Sequence, residues 1–234
     1  MALPKLDVPI YELELPSNGD TISYRPFLVK EEKILLMAVE GKDQKEMITA
    51  IKQIINNCIL TKGIKPDKLP LFDIEYILLN LRSRSTGDTI KTRYVHKECQ
   101  PVEVEININD IEVVKNPEHS DTIQLTDTIG MKLKYPDINM MNTMGDITGE
   151  KTEEVFDLIA NCIDSVYDED TVYSRSDFTP KELKEWVLGL TQDQFKKVEQ
   201  FFSTLPKMQK EVTFDCPCGY SEQITLEGLQ SFFG

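Results

Sequence analysis

A chain of 234 residues can bury a real core as one large domain or two small ones, without help from disulfides or metals. Its 40% hydrophobic and 28% charged content is that of a soluble globular protein, and no apolar run reaches the ~20 residues a membrane helix needs. Forty acidic against 26 basic residues give a formal charge of −14, which repels phosphate backbones and argues against nucleic acid as the main partner.

The opening Met1-Ala-Leu-Pro-Lys-Leu-Asp lacks the apolar core of a signal peptide, so a cytoplasmic setting is expected. Residues 10–15 and 21–27 alternate around Asn18-Gly19, a hairpin signal. Three helices follow: a short one over Ile34–Val39, one over Gln44–Leu60 and one over Leu71–Arg82. The second gathers Met47, Ile48, Ile51, Ile54, Ile55, Cys58 and Ile59 on one face. Thr89–Val95 and Pro101–Ile108 then read as an antiparallel hairpin, with Val102, Val104, Ile106 and Ile108 on one side. Short strands are expected at 111–114, 122–125 and 129–135.

Residues 136–150 carry two glycines and Met140, Met141 and Met144, and mark a loop or short helix at a candidate boundary. An amphipathic helix is expected over Thr152–Ser165, followed by an acidic extended stretch from Asp164. Thr179-Pro-Lys-Glu182 and Thr191-Gln-Asp-Gln194 are capping boxes that start two more helices. A cysteine hairpin over 212–225 and a short helix over Leu226–Phe233 finish the pattern.

The class is α+β, with antiparallel hairpins, a small sheet and helical layers. Two segments are expected: residues 1–150, and residues 151–234 with the cysteine hairpin packed back on residues 88–110. A single continuous domain is the alternative. No repeat of 20–50 residues recurs.

Five cysteines cannot all pair, and a reducing setting argues against disulfides. Cys58 and Cys162 fall inside apolar helical patterns and read as core. The other three stand with a histidine in two turns, Tyr94-Val-His96-Lys-Glu-Cys99 and Cys216-Pro-Cys218-Gly219. His96, Cys99, Cys216 and Cys218 would close a structural zinc site of zinc-ribbon type, joining residues 94–101 to 212–225. Against this stands the plainer reading of turn cysteines and a loop histidine, and spacing alone leaves both open.

No phosphate-binding glycine loop appears, and no catalytic residue is assigned. A hydrolase built on His119 would need a nucleophile and an orienting acid within reach. The acids at 157, 164, 168, 169 and 170 lack the pattern of a calcium loop and read as solvated surface.

Three stretches carry a resemblance: Leu3-Pro-Lys-Leu with the hairpin after it, Leu125-Thr-Asp-Thr-Ile-Gly-Met-Lys-Leu-Lys-Tyr-Pro136, and Cys216-Pro-Cys-Gly with Ile224-Thr-Leu-Glu-Gly-Leu-Gln-Ser-Phe-Phe-Gly234. In their order and spacing the chain resembles the baseplate hub assembly family of T4-like contractile-tail bacteriophages. The resemblance implies a non-enzymatic late protein that forms or helps assemble the tail hub, as a component or a chaperone. It would act through contacts with other hub and tail proteins, in the host cytoplasm during assembly or in the virion baseplate. It also implies two paired-cysteine knuckles, from which this sequence departs by carrying His96 in place of a cysteine and one residue fewer in the second knuckle. A zinc-ribbon-like regulator that binds nucleic acid or transcription machinery is the alternative, and would show a basic face around Lys91, Arg93 and Lys97.

Overall fold

A computed structural model describes residues 6–41, 43–140, 152–228 and 231. The chain adopts the α+β class expected, with small antiparallel sheets and six helices among the described residues. It forms two compact units, Met1–Val114 with Lys207–Gly234, and Lys115–Pro206.

In the first unit, β1 (Tyr11–Glu14) and β2 (Thr21–Tyr24) pair antiparallel. The turn between them places Gly19 at φ 78°, a left-handed conformation that glycine adopts without steric cost. The helices are α1 (Val29–Gly41), α2 (Gln44–Cys58) and α3 (Leu71–Thr86). Asp73, wholly buried on α3, accepts a hydrogen bond from the Ser17 backbone N–H at 3.0 Å and so pins the β1–β2 turn.

Helix α1 starts five residues before the apolar pattern suggests, and a buried charge explains it. The Glu31 carboxylate is fully enclosed, pairs with Arg25 at 2.9 Å and accepts the Leu28 N–H at 2.9 Å, which organises the first turn. Asp43 caps α2 by accepting from the Lys45 and Glu46 N–H groups. Ile48, Ile51, Ile54, Ile55 and Cys58 then point inward. The chain leaves α2 at Ile59, which bridges to Tyr24, while the Leu60 N–H donates to the Ser23 carbonyl at 2.8 Å.

Strands β3 (Thr89–Tyr94) and β4 (Val102–Asn107) form a two-stranded ribbon, Thr89 opposite Asn107 and Tyr94 opposite Val102. At its base Ile90 and Ile106 are buried, and toward the tip Thr92, Tyr94, Val102 and Val104 are only half-buried. A second sheet runs in the order β11–β10–β5, from β5 (Glu112–Val114), β10 (Lys207–Asp215) and β11 (Ser221–Glu227). Leu79 of α3, Ile90, Ile106, Ile108, Ile111, Met208, Val212 and Leu226 make one apolar cluster that joins ribbon, sheet and helix. The expected C-terminal helix is corrected at its start: Leu226 and Glu227 are strand, because Leu226 pairs with Lys210 and buries its side chain in that cluster. Most of the remaining residues of that helix, and Met141 and Met144, lie outside the described residues.

The second unit is a four-stranded antiparallel sheet, β6 (Thr122–Gln124), β7 (Gly130–Leu133), β8 (Ile163–Tyr167) and β9 (Val172–Ser174) in that order. Its helices are α4 (Thr152–Cys162), α5 (Pro180–Leu188) and α6 (Gln192–Ser203). Both expected capping boxes are present, with Thr179 and Glu182 reciprocal at α5 and Thr191 and Gln194 at α6. Helix α4 stops three residues short of the expected Ser165. Ile163 instead opens β8 opposite Leu133, and the Lys134 N–H takes the Cys162 carbonyl at 2.7 Å. Ile163, Val166 and Tyr167 suit a pleated surface better than a helix end, and the sheet captures them. Gly130 faces the ring of Tyr167 so closely that no Cβ would fit.

Candidate metal centre

Two turns carry the candidate ligands. At the tip of the β3–β4 ribbon the Cys99 N–H returns to the His96 carbonyl at 2.9 Å, with Lys97 held at φ 50°. At the tip of β10–β11 the Cys216 N–H donates to the Tyr220 carbonyl at 2.7 Å and the Gly219 N–H to the Cys216 carbonyl at 2.9 Å. Gly219 sits at φ 92°, which a side chain would oppose. Each turn is thus fixed by backbone hydrogen bonds before any ligand is considered.

The two tips meet. Tyr94 on β3 and Phe214 on β10 bring their rings to 5.9 Å, and beyond them the donor atoms of His96, Cys99, Cys216 and Cys218 all lie within 4.8 Å of one another. His96 Nδ1 is 3.3 Å from Cys218 Sγ and 3.9 Å from Cys99 Sγ. Cys216 is buried, His96 and Cys99 are half-buried and Cys218 is exposed. All four residues singled out in the sequence therefore occupy one place, although more than a hundred positions separate the two pairs.

The sulfurs share protons unequally. Hydrogen bonds with Cys216 and then Cys218 push the Cys99 thiol up to about 11. Cys216, the Tyr220 N–H and His96 bring Cys218 down to about 6. Crowded thiolates repel one another, so neighbouring sulfurs that favour the Cys218 anion oppose ionisation of Cys99. Cys58 and Cys162 behave otherwise: burial pushes them up to about 11 and about 12, and they serve as core.

One participant was not legible in the sequence. Tyr220 lays its ring on His96, centroids 4.0 Å apart and planes within 4°. An aromatic residue directly after Cys-Pro-Cys-Gly is the only signal that could have pointed to it.

His119 belongs to a different environment, in the second unit. Its Nδ1 lies 2.9 Å from Thr204 Oγ1, and the Thr204 hydroxyl donates to the Gln200 carbonyl at 2.7 Å. The ring stacks on Tyr135 and leans on Phe201, and Nε2 is buried with no hydrogen-bond partner among the described residues. Burial lowers its pKa. The threonine hydroxyl is committed to a backbone carbonyl, and the half-buried histidine packs against aromatic rings.

Asp168 accepts the Asp170 and Thr171 N–H groups in a turn, and Asp157 pairs with Lys184 at 2.7 Å. On the β3 ribbon Lys91 is held between Glu103 at 2.9 Å and Glu105 at 2.8 Å. An open cleft of about 430 Å³ is lined by Val166, Tyr173, Phe178 and Trp186 with Asp168 and Glu182. Both carboxylates are already engaged, Asp168 by its turn and Glu182 by the α5 cap.

A family model described as T4 bacteriophage base plate protein matches residues 8–234. Searches among curated proteins and among solved structures gave no match.

Proposed function

The chain belongs to the T4 bacteriophage base plate protein family, and on that premise we propose that it serves the central hub of the baseplate by protein–protein contact, as a hub component or as the chaperone that assembles one. The family match over nearly the whole chain carries this reading. Helix α1 supports the contact part. It leaves Val29, Leu36 and Val39 exposed at i, i+7 and i+10, with Met37 beside them, a stripe of apolar side chains 54–82% open to solvent. An apolar helical stripe of that kind fits a partner surface better than it fits water.

The side-chain chemistry supports a role without catalysis. The acids at the cleft cap turns and helices, and His119 packs among aromatic rings. The alternative of a nucleic-acid-binding regulator gains nothing from the ribbon, whose Lys91 is already neutralised by two glutamates in a chain of charge −14.

A tagged copy recovered from infected cells and analysed by mass spectrometry tests the proposal. Baseplate hub and tail proteins are expected to co-purify, and fewer of them with a Leu36→Lys/Val39→Lys double variant that still folds. Stoichiometric presence in purified virions assigns a component, and presence only in assembly intermediates assigns a chaperone. A stable monomer that captures no tail protein contradicts the proposal.

A further inference from the structure

We propose that His96, Cys99, Cys216 and Cys218 hold a single zinc ion, a structural clasp that ties the tip of the β3–β4 ribbon to the tip of the β10–β11 hairpin. The inference rests on geometry within one unit and stands independently of the baseplate reading.

Donor chemistry selects the metal. Three thiolates and one imidazole form a soft, four-coordinate set that suits zinc and offers calcium or magnesium nothing. In a tetrahedral shell with Zn–S of about 2.3 Å and Zn–N of about 2.0 Å, neighbouring N and S atoms sit about 3.5 Å apart and S and S about 3.8 Å apart. The His96 Nδ1 separations of 3.3 and 3.9 Å from the two sulfurs bracket the first value. No donor pair lies more than 4.8 Å apart, so no pair needs to draw in by more than roughly 1.3 Å to reach these values. Small side-chain rotations, freest at the exposed Cys218 and the half-buried His96 and Cys99, are enough for a shift of that size.

Each thiol that ligates surrenders its proton to solvent, and His96 binds through Nδ1 as the neutral tautomer with its proton on Nε2. Three thiolates and one neutral imidazole leave the Zn²⁺ site with one net negative charge. With four protein ligands no position stays open for substrate, which makes the site structural.

The surroundings are built for this role. Two turns closed by backbone hydrogen bonds present the ligands on separate hairpins, and the Tyr220 N–H serves the Cys218 sulfur. The Tyr220 ring fixes the plane of His96, which makes Tyr220 a positioning residue. The ribbon also needs the clasp most at this end, since its inward side chains are fully buried only at the base.

The test is elemental analysis of the full chain, produced with zinc in the medium and purified without a metal-affinity tag. About one zinc per chain is expected. Cys218→Ser should lose most of it, and His96→Cys, which supplies a fourth thiolate, should keep it. Tyr220→Ala should weaken zinc affinity about tenfold, the lower end for residues that orient a ligand, while Tyr220→Phe keeps the stack and the affinity. Should a variant not fold, the wild-type protein still decides the matter. Cobalt added to apo protein should give a thiolate charge-transfer band with tetrahedral d–d absorption, and zinc should protect Cys99 and Cys218 from alkylation. Less than about a tenth of an equivalent of zinc, iron in its place, a Cys99–Cys218 or Cys216–Cys218 disulfide in freshly purified protein, or alkylation indifferent to zinc would overturn the assignment.

Discussion

In Lys115–Pro206 the paired strands β7 and β8 pack Met131, Leu133 and Ile163, all almost wholly shut off from water, against Leu158, Leu183, Val187, Val198 and Phe201 of the three helices. The β3–β4 ribbon of the other unit has such cover only at its base, around Ile90 and Ile106, and at its far end its polar turn meets the turn of β10–β11. One strand pair is held by burial of Met131, Leu133 and Ile163 beneath the helices; the other is buried at one end and clasped at the other by the proposed metal ion. Where apolar cover gives out, His96, Cys99, Cys216 and Cys218 come together, and the proposed zinc clasp would take the place of burial. Substitutions should therefore act differently in the two units, and the size of each effect can confirm or break the contrast.

The largest effect belongs to the covered unit. Phe201 is buried against His119, Tyr135 and Phe202, so Phe201→Ala should cost about 3–5 kcal/mol in urea unfolding and should not depend on metal. A loss under 1 kcal/mol would mean that the aromatic cluster does not carry the unit.

In the first unit, away from the knuckles, Glu31→Ala should cost about 3 kcal/mol because it strands the Arg25 guanidinium. Burial by itself would raise the Glu31 carboxyl, but the Arg25 and Leu28 hydrogen bonds outweigh it and hold the group below its ordinary 4.5. A carboxyl lowered in the folded state stabilises fully above that ordinary value and loses its contribution as pH falls below it. Unfolding measured from pH 7 to pH 3 should thus show an acid loss that Glu31→Gln reduces.

Much of this architecture was legible in the sequence, for physical reasons specific to each element. The isoleucine spacing of α2, the alternation from Val102 to Ile108 and the Thr-Pro-x-Glu start of α5 are local signals, and local hydrogen bonding and burial obey them. Ile163 was not legible, because its fit to an amphipathic helix is as good as its fit to a strand, and only pairing with Leu133 across the sheet decides. The early start of α1 was hidden for a similar reason, since Glu31 looks like a surface acid until Arg25 folds over it. At the candidate centre the ligand types were readable from two short turns. The stacking of Tyr220 on His96 was not, since it depends on two hairpins arriving side by side.

A smaller effect is expected at the helix caps. Thr179→Ala removes the acceptor for the Glu182 N–H and one of the two donors to the Glu182 carboxylate, and should cost about 1 kcal/mol with the fold intact. Thermal unfolding read by circular dichroism would register it, and no change would mean that α5 is held by packing alone.

The smallest expected effect is a shallow acid slope from His119. Its folded pKa is lowered from 6.5 by burial, with Asp121 opposing, so the unfolded chain takes up the proton more readily. Stability is full above 6.5 and declines as pH falls below it. His119→Phe should flatten that part of the profile, and an unchanged slope would place the titration elsewhere.

Hydrogen exchange of the native full-length protein, with and without a zinc chelator, tests the contrast between the two units most directly. Removal of metal should deprotect the ribbon and hairpin tips around residues 92–104 and 212–224 while amides of residues 115–206 exchange as before. Unchanged protection at the two tips after complete metal removal, or equal deprotection of both units, would contradict it.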